Sequence, residues 1–301
     1  MSVKRMEKLR SFQLTKEAKF GILLVLPAFS ILALVYIYPL IYNVDLSLSR
    51  WNLAPPTEKE YIGLQNYEVL FSSDIFHKIL RNTIFFTVLS VPIEFFAGLG
   101  LALLLNKNIK GKNVVITILA LPMMIAPVVG ALSWRWLYAY DYGAINYLLS
   151  SIGIKPIVWT ADVNVAMYSV IIADAWITTP FMMLIIYAGL KMIPEERYEA
   201  ARIDGASSWQ MFRYVTLPSL KSVLLVALMI RSIDAFTKLF DVIYVITGGG
   251  PVYATEVLPT YTYKMGLIFF RLGSGAALAM ITLMVTAIMI ATMMRVSKRG
   301  R

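Results

Sequence analysis

Cysteine is absent from this chain of 301 residues, and histidine occurs once, at His77. The first absence excludes disulfides and thiolate metal sites. A single histidine cannot build a His-based zinc site or a Ser-His-Asp triad. Charge is scarce as well, since 15% of the residues are charged and 58% are hydrophobic, against about 25% and about 45–50% in soluble domains. We therefore expect an all-α integral membrane protein that is not an enzyme and holds no metal or cofactor of its own.

The chain is instead rich in long apolar segments. A bilayer core of about 30 Å is crossed by about 20 apolar residues in a helix. Six segments meet this length: 20–43, 79–105, 114–137, 166–190, 219–246 and 275–294. They predict an N-terminal tail 1–19, a six-span domain 20–294 and a C-terminal tail 295–301.

The positive charges are unevenly distributed between the two ends of these spans. Lys and Arg number 18 in the two tails and in segments 106–113 and 191–221, against six in the other three loops. Cytoplasmic loops carry the excess of Lys and Arg. Both termini and the 191–218 loop are therefore predicted to be cytoplasmic, which also explains the net charge of +10 without a nucleic-acid partner.

The 191–218 loop is a polar island, and residues 194–212 are predicted to form a pair of helices. Pro194 followed by acidic residues is typical of a helix start. Gly205 can adopt a left-handed conformation and end that helix. Ser207 or Ser208 can cap the second one. The loop is therefore expected to offer an ordered helical surface to a soluble partner.

The same loop contains a recognisable motif, E-A-A-x-x-D-G-A, followed by a phenylalanine and a closing Leu-Pro. Its positions are Glu199, Ala200, Ala201, Asp204, Gly205, Ala206, Phe212 and Pro218. The motif resembles the cytoplasmic loop of permease subunits in binding-protein-dependent ABC importers. The resemblance implies a type I importer permease fold in a bacterial or archaeal cytoplasmic membrane. It further implies that these eight residues couple the permease to a separate ATPase.

Other segments resemble the carbohydrate branch of that family, which includes the maltose and lactose permeases. They are 62–67, 81–83, 101–106 and 247–251. This resemblance implies a sugar or oligosaccharide substrate, a second and different permease, two ATPase subunits and an extracytoplasmic solute-binding protein. The chain has no G-x-x-x-x-G-K-[ST] pattern, so ATP and Mg²⁺ are expected on the partner ATPase.

Charged residues within the spans are the candidates for the substrate pathway, because a charge in a span usually faces protein or water. Arg231, Asp234, Lys238 and Asp241 follow one another at intervals of three, four and three, which predicts one helical stripe. The stripe is either a self-neutralised structural network or a lining that contacts sugar hydroxyls. The family resemblance adds Asp174, Ile177, Thr178 and Phe181 as counterparts of sugar-lining positions, and Glu94 beside Pro92 is a secondary candidate.

Three other functions remain open from the residues. A glycerol-phosphate importer of the same branch would need basic residues facing the pathway. An ion-coupled secondary transporter would use the acidic residues in the spans and need no ATPase. The E-A-A loop argues against such a transporter. A six-span channel or scaffold is the third function.

Overall fold

The computed structural model describes residues 16–107 and 109–299, so most of the predicted tail 1–19 and residues 300–301 lie outside it. The described chain is mostly helical, as predicted. Five helical stretches are long and apolar enough to cross a membrane, and six when the bent pair α5–α6 counts as one span. The helices are α1 Lys16–Leu32, α2 Tyr38–Ser47, α3 Gln65–Phe71, α4 Asp74–Asn106, α5 Lys112–Met124, α6 Pro127–Leu137, α7 Ala144–Ser151, α8 Ala166–Lys191, α9 Glu195–Ile203, α10 Ser208–Met211, α11 Leu217–Thr237, α12 Phe240–Ile246, α13 Leu258–Tyr263 and α14 Leu272–Arg299.

Three π-helical turns join some of these helices: Ala33–Ile37, Phe212–Thr216 and Lys264–Ile268. Two short strands, β1 Ser49–Arg50 and β2 Glu60–Tyr61, form an antiparallel pair in which Ser49 lies opposite Tyr61. The first span runs from Phe20 to Ser47 and is almost wholly exposed in the isolated chain. It contacts the rest of the molecule mainly where α2 packs on α14.

Helices α4 and α8 form the centre of the bundle. Gly98 allows their backbones to approach closely, since a β-carbon there would lie 2.6 Å from Cβ of Met182. Small residues at helix contacts have this role in membrane proteins. Helix α11 packs against α4, α8 and α14, so three spans converge on α11 around a common interior.

The third predicted span, 114–137, is bent rather than straight. Helices α5 and α6 meet at an angle of 93°. Pro127 opens α6, and the residue before it, Ala126, has ψ of 133°. A residue that precedes proline is forced out of the helical region, so the helix must end and start again here.

The prediction of one continuous helix for the fifth span, 219–246, was wrong. Helix α11 ends at Thr237, and α12 begins at Phe240. Leu239, between them, is 2% exposed and packs in an apolar cluster with Val242, Ile243 and residues of α6 and α8. Burial of this segment against α6 redirects the chain, and it divides the predicted charge stripe between two helices.

Candidate functional site

Helices α9 and α10, here called the helix pair, form the E-A-A loop. Pro194 precedes α9, and Glu195 and Glu196 occupy its first turn, where negative charge interacts well with the helix dipole. The N–H of Ala206 donates to the carbonyl of Ala201, and that of Gly205 donates to Arg202. Gly205 has φ of +77°. These are the bonds and the left-handed residue of a Schellman C-terminus, as the sequence predicted.

Helix α10 begins with a reciprocal cap. The side chain of Ser207 accepts from the N–H of Gln210, whose side chain in turn accepts from the N–H of Ser207. Beyond α10, the π-turn and α11 follow without a break, so one helix runs from Ser208 to Thr237. The predicted cap is therefore Ser207, and the second helix of the pair is the start of a membrane span.

Two side-chain bonds fix α9 to that span. The hydroxyl of Tyr198 lies 3.0 Å from Oγ1 of Thr216, and Nη1 of Arg197 donates to Oγ of Ser219 at 3.1 Å. Helix α9 is thus tied to the π-turn and to α11, away from the turn at Gly205. A force applied to α9 reaches the spanning helix through these bonds as well as through the turn.

The motif residues lie on the surface of the helix pair. Glu199, Ala200, Asp204, Gly205 and Pro218 are exposed, and Ala201, Ala206 and Phe212 are half-buried. Two large apolar side chains beside them are also exposed, Ile203 at 86% and Trp209 at 69%. Ile203 is not among the site residues predicted from the sequence. The signal for it was an apolar residue within an otherwise polar helix.

A cavity of about 320 Å³ opens between α5, α8, α11 and α12. Its lining includes the eight main pathway candidates, Asp174, Ile177, Thr178, Phe181, Arg231, Asp234, Lys238 and Asp241, but not the secondary candidate Glu94. The break at residues 238–239 does not separate the charges, because both sides of the break face the same space. The cavity thus combines carboxylates, cations and a hydroxyl with apolar and aromatic side chains.

A buried ion triad lies at one side of this cavity. Arg231 on α11 donates through Nε and Nη2 to the carboxylate of Glu94 on α4, with the Nη2 bond at 2.8 Å, and through Nη2 to Asp174 on α8. Glu94 is fully buried, and Asp174 and Arg231 are each 4% exposed. The triad therefore joins three spanning helices by charge-assisted hydrogen bonds.

The predicted self-neutralised stripe does not exist in this form. The two buried partners of Arg231 come from other helices, whereas Asp234 pairs with Lys238 at 2.8 Å. Both members of that pair are accessible, with side chains 34% and 74% exposed. Glu94 was only a secondary candidate, since its partner lies 137 residues away in sequence. Its charge inside an apolar span was the available signal.

Comparison with known proteins agrees with this architecture. Residues 20–299 match the family described as the binding-protein-dependent transport system inner membrane component. The trehalose/maltose transport system permease protein MalF of Thermococcus litoralis is 39% identical over 270 residues, which cover 89% of this chain and 90% of that one. The trehalose transport system permease protein SugA of Mycobacterium tuberculosis is 37% identical, with 88% and 84% covered.

A solved structure has the same fold over nearly the whole chain. It is a bacterial alginate ABC transporter in complex with an alginate pentasaccharide-bound periplasmic protein. The match has a TM-score of 0.82 and 25% identity, and it covers 94% of this chain and 96% of that one. The chain belongs to the family of inner membrane components of binding-protein-dependent ABC transport systems.

Proposed function

We propose that this chain is one of two different permease subunits of an ABC importer and forms half of the pathway for a sugar or oligosaccharide. The sugar class is supported by the relatives named for trehalose and maltose transport. An extracytoplasmic binding protein delivers the sugar, and two separate ATPase subunits bind ATP and Mg²⁺. Both termini and the helix pair lie in the cytoplasm, as the distribution of Lys and Arg predicts.

The observation that carries this proposal is the continuity between the helix pair and the cavity. Ser208 and Arg231 belong to one uninterrupted helix. A rise of about 1.5 Å per residue separates them by about 35 Å. A helix of this kind transmits a displacement at its cytoplasmic end to the residues that line the cavity. ATP-driven movement of the docked helix pair thereby opens the cavity alternately to either side of the membrane.

The helix pair supplies a docking surface of mixed chemistry. Ile203 and Trp209 are apolar and exposed, and the small Ala200 and Ala206 beside them allow close approach of a partner surface. Exposed apolar side chains rimmed by polar ones mark protein interaction sites. We assign the ATPase as the partner, with Ile203 as an anchor that inserts into its groove.

The cavity suits a polar, uncharged substrate. Carboxylates and cations form charge-assisted hydrogen bonds to hydroxyl groups, and Phe181 and Ile177 provide apolar surface for the faces of a sugar ring. Three carboxylates line the cavity, those of Asp174, Asp234 and Asp241, against the two cations Arg231 and Lys238. This excess of negative charge disfavours glycerol phosphate. Membership of a binding-protein-dependent family disfavours an ion-coupled secondary transporter.

Reconstitution tests the proposal directly. The chain is assembled in proteoliposomes with its partner permease, ATPase and binding protein. We expect ATP-dependent uptake of labelled trehalose or maltose and none of glycerol 3-phosphate.

The variant Ile203→Ser with Trp209→Ser should lose most of its co-purifying ATPase. The control Tyr147→Ser, at a side chain that is 76% exposed on α7, should retain it.

Two results would contradict the proposal. Uptake driven by an ion gradient without ATP would identify a secondary transporter. Full retention of the ATPase by the Ile203 and Trp209 variant would show that the helix pair is not its docking surface.

A further inference from the structure

A second pocket, of about 200 Å³, lies at the end of the molecule that carries loops 44–78 and 247–274. It shares no residue with the cavity described above. Most of its lining is polar: Arg50, Trp51, Asn52, Ile62, Gln65, Asn66, Val69, Arg271, Gly273 and Ser274. We call it the arginine pocket. The distribution of Lys and Arg predicts that it faces the extracytoplasmic side.

The walls of the arginine pocket are held together by backbone contacts. The N–H of Leu272 donates to the carbonyl of Trp51 at 3.0 Å, and that of Leu53 donates to Phe270 at 2.9 Å. Gly273 passes so close to the first loop that a β-carbon there would lie 2.1 Å from the carbonyl oxygen of Ser49. The first loop and the start of α14 therefore form one surface.

A side-chain contact secures the third wall. Nδ2 of Asn66, on α3, donates to the carbonyl oxygens of Ser47 and Ser49, both at 2.9 Å. These bonds fix α3 to the chain that leaves the first span. Because these walls are already rigid, a partner that binds in the pocket does not have to order them. Binding then avoids the entropy cost of ordering loops and side chains.

The charges of the pocket are one-sided. Its lining contains two arginines and neither aspartate nor glutamate. Arg50 is engaged within the chain, since Nη2 donates to Gln65 at 3.2 Å and Nη1 lies 3.6 Å from the carboxylate of Glu60. Arg271 is exposed and its side chain has neither a hydrogen bond nor an ion pair with any residue in the described part of the chain. Its guanidinium is therefore available to a partner.

We propose that the arginine pocket receives an acidic side chain of the extracytoplasmic solute-binding protein, with Arg271 as its main contact. This inference rests on the proposed function. The planar fork of a guanidinium matches a carboxylate with two parallel hydrogen bonds. A neutral sugar would leave that charge unpaired, whereas a carboxylate on the binding protein neutralises it. The pocket thus orients the binding protein on the permease and speeds its arrival.

The test measures how the ATPase activity of the reconstituted complex depends on the concentration of sugar-loaded binding protein. For Arg271→Gln we expect the half-saturating concentration to rise by about threefold to tenfold. The maximal rate and the basal rate should stay unchanged, which also verifies assembly. Added salt should raise the half-saturating concentration less steeply in Arg271→Gln than in the native complex.

The matched control is Arg81→Gln, because Arg81 is exposed at the same end of the molecule and does not line the pocket. Its half-saturating concentration should stay within about 1.5-fold of native, since isolated surface charges contribute little. Arg271→Glu should be more impaired than Arg271→Gln. One Asp→Lys or Glu→Lys change on the binding protein should restore it, which identifies the acidic side chain.

Three outcomes would overturn the inference. Equal half-saturating concentrations for Arg271→Gln and Arg81→Gln, in a complex that the binding protein does stimulate, would refute the arginine pocket alone. Lost uptake with unchanged dependence on the binding protein would mean that the pocket acts on the sugar. No stimulation of the native complex by the binding protein would refute the pocket and the proposed function together.

Discussion

The helix pair α9–α10 and the triad of Glu94, Asp174 and Arg231 are connected by a single helix, yet they differ in physical character. The helix pair exposes its motif residues and even two large apolar side chains. The triad is nearly closed to solvent and holds three charges. An exposed surface without an internal partner is built for a partner outside the chain. A buried charged group must instead find its partner inside the chain, because isolation of a charge there is costly.

This difference has a consequence for the movement of α11. At the end next to the helix pair, α11, with the π-turn before it, is held by two hydrogen bonds to α9, one between the neutral Tyr198 and Thr216 and one from Arg197 to Ser219. Near the cavity it is held by bonds from one guanidinium to carboxylates on two other spans. Motion imposed at the helix pair therefore acts against the triad. We infer that the triad sets the resistance of α11 to displacement, so substitutions at the triad and at the helix pair should have different effects.

The largest effect is expected from removal of the shared cation. Arg231→Met strands two carboxylates inside the membrane, and loss of one partner of a buried ion pair costs about 3–5 kcal/mol. We expect little folded complex in detergent by size-exclusion chromatography. Adding Glu94→Gln and Asp174→Asn to Arg231→Met should recover part of the yield, because no charge then lacks a partner. An Arg231→Met complex that assembles at native yield would contradict the role of the triad.

The next effect distinguishes the two carboxylates. Glu94 accepts two bonds from Arg231 and lies away from the cavity, whereas Asp174 accepts one and lines it. Glu94→Gln should therefore cost about 2–3 kcal/mol of stability. Asp174→Asn should cost about 1–2 kcal/mol but abolish most sugar uptake. Thermal midpoints and uptake rates of the two purified complexes give the comparison. If uptake falls in proportion to stability in both variants, the loss of stability alone explains the loss of uptake. That result would show that Asp174 does not contact sugar.

The sequence predicted the exposed region better than the buried one, for a physical reason. Caps, acidic first turns and a left-handed glycine act within a few residues, so Pro194, Gly205 and Ser207 could be assigned roles from neighbours in the chain. The fourth span was also predicted closely, as 166–190 against Ala166–Lys191, because apolar length is a local property. The partners of Arg231 are 137 and 57 residues away. Spacing along one helix predicted a stripe of four charges and could not indicate carboxylates on other spans.

A moderate effect is expected at Gly205. No residue that the structure describes, apart from the chain neighbours of Gly205, lies within 4 Å of a β-carbon at this position. The backbone conformation and, under the proposed function, a docked ATPase are therefore the two constraints. Gly205→Ala should destabilise the helix pair by about 1–2 kcal/mol through its positive φ. Gly205→Asn, which tolerates that conformation, should cost less. If both variants lose the ATPase equally in co-purification, close contact with the partner is the constraint. If only Gly205→Ala loses it, backbone conformation is the constraint.

The smallest effect on assembly is expected from the second ion pair of the cavity. Asp234 and Lys238 are four residues apart and accessible, and such pairs contribute about 0.3–0.5 kcal/mol. The variant Asp234→Asn with Lys238→Met removes both charges together, so neither is left alone. We expect native assembly and a native thermal midpoint, because α11 stays anchored by Arg231. Sugar uptake should nevertheless fall by about fivefold, since each charged group that contacts a hydroxyl provides a stronger hydrogen bond than its neutral replacement. Native uptake in this variant would remove Asp234 and Lys238 from the pathway and confine sugar contact to the side of the cavity formed by Asp174 and Arg231.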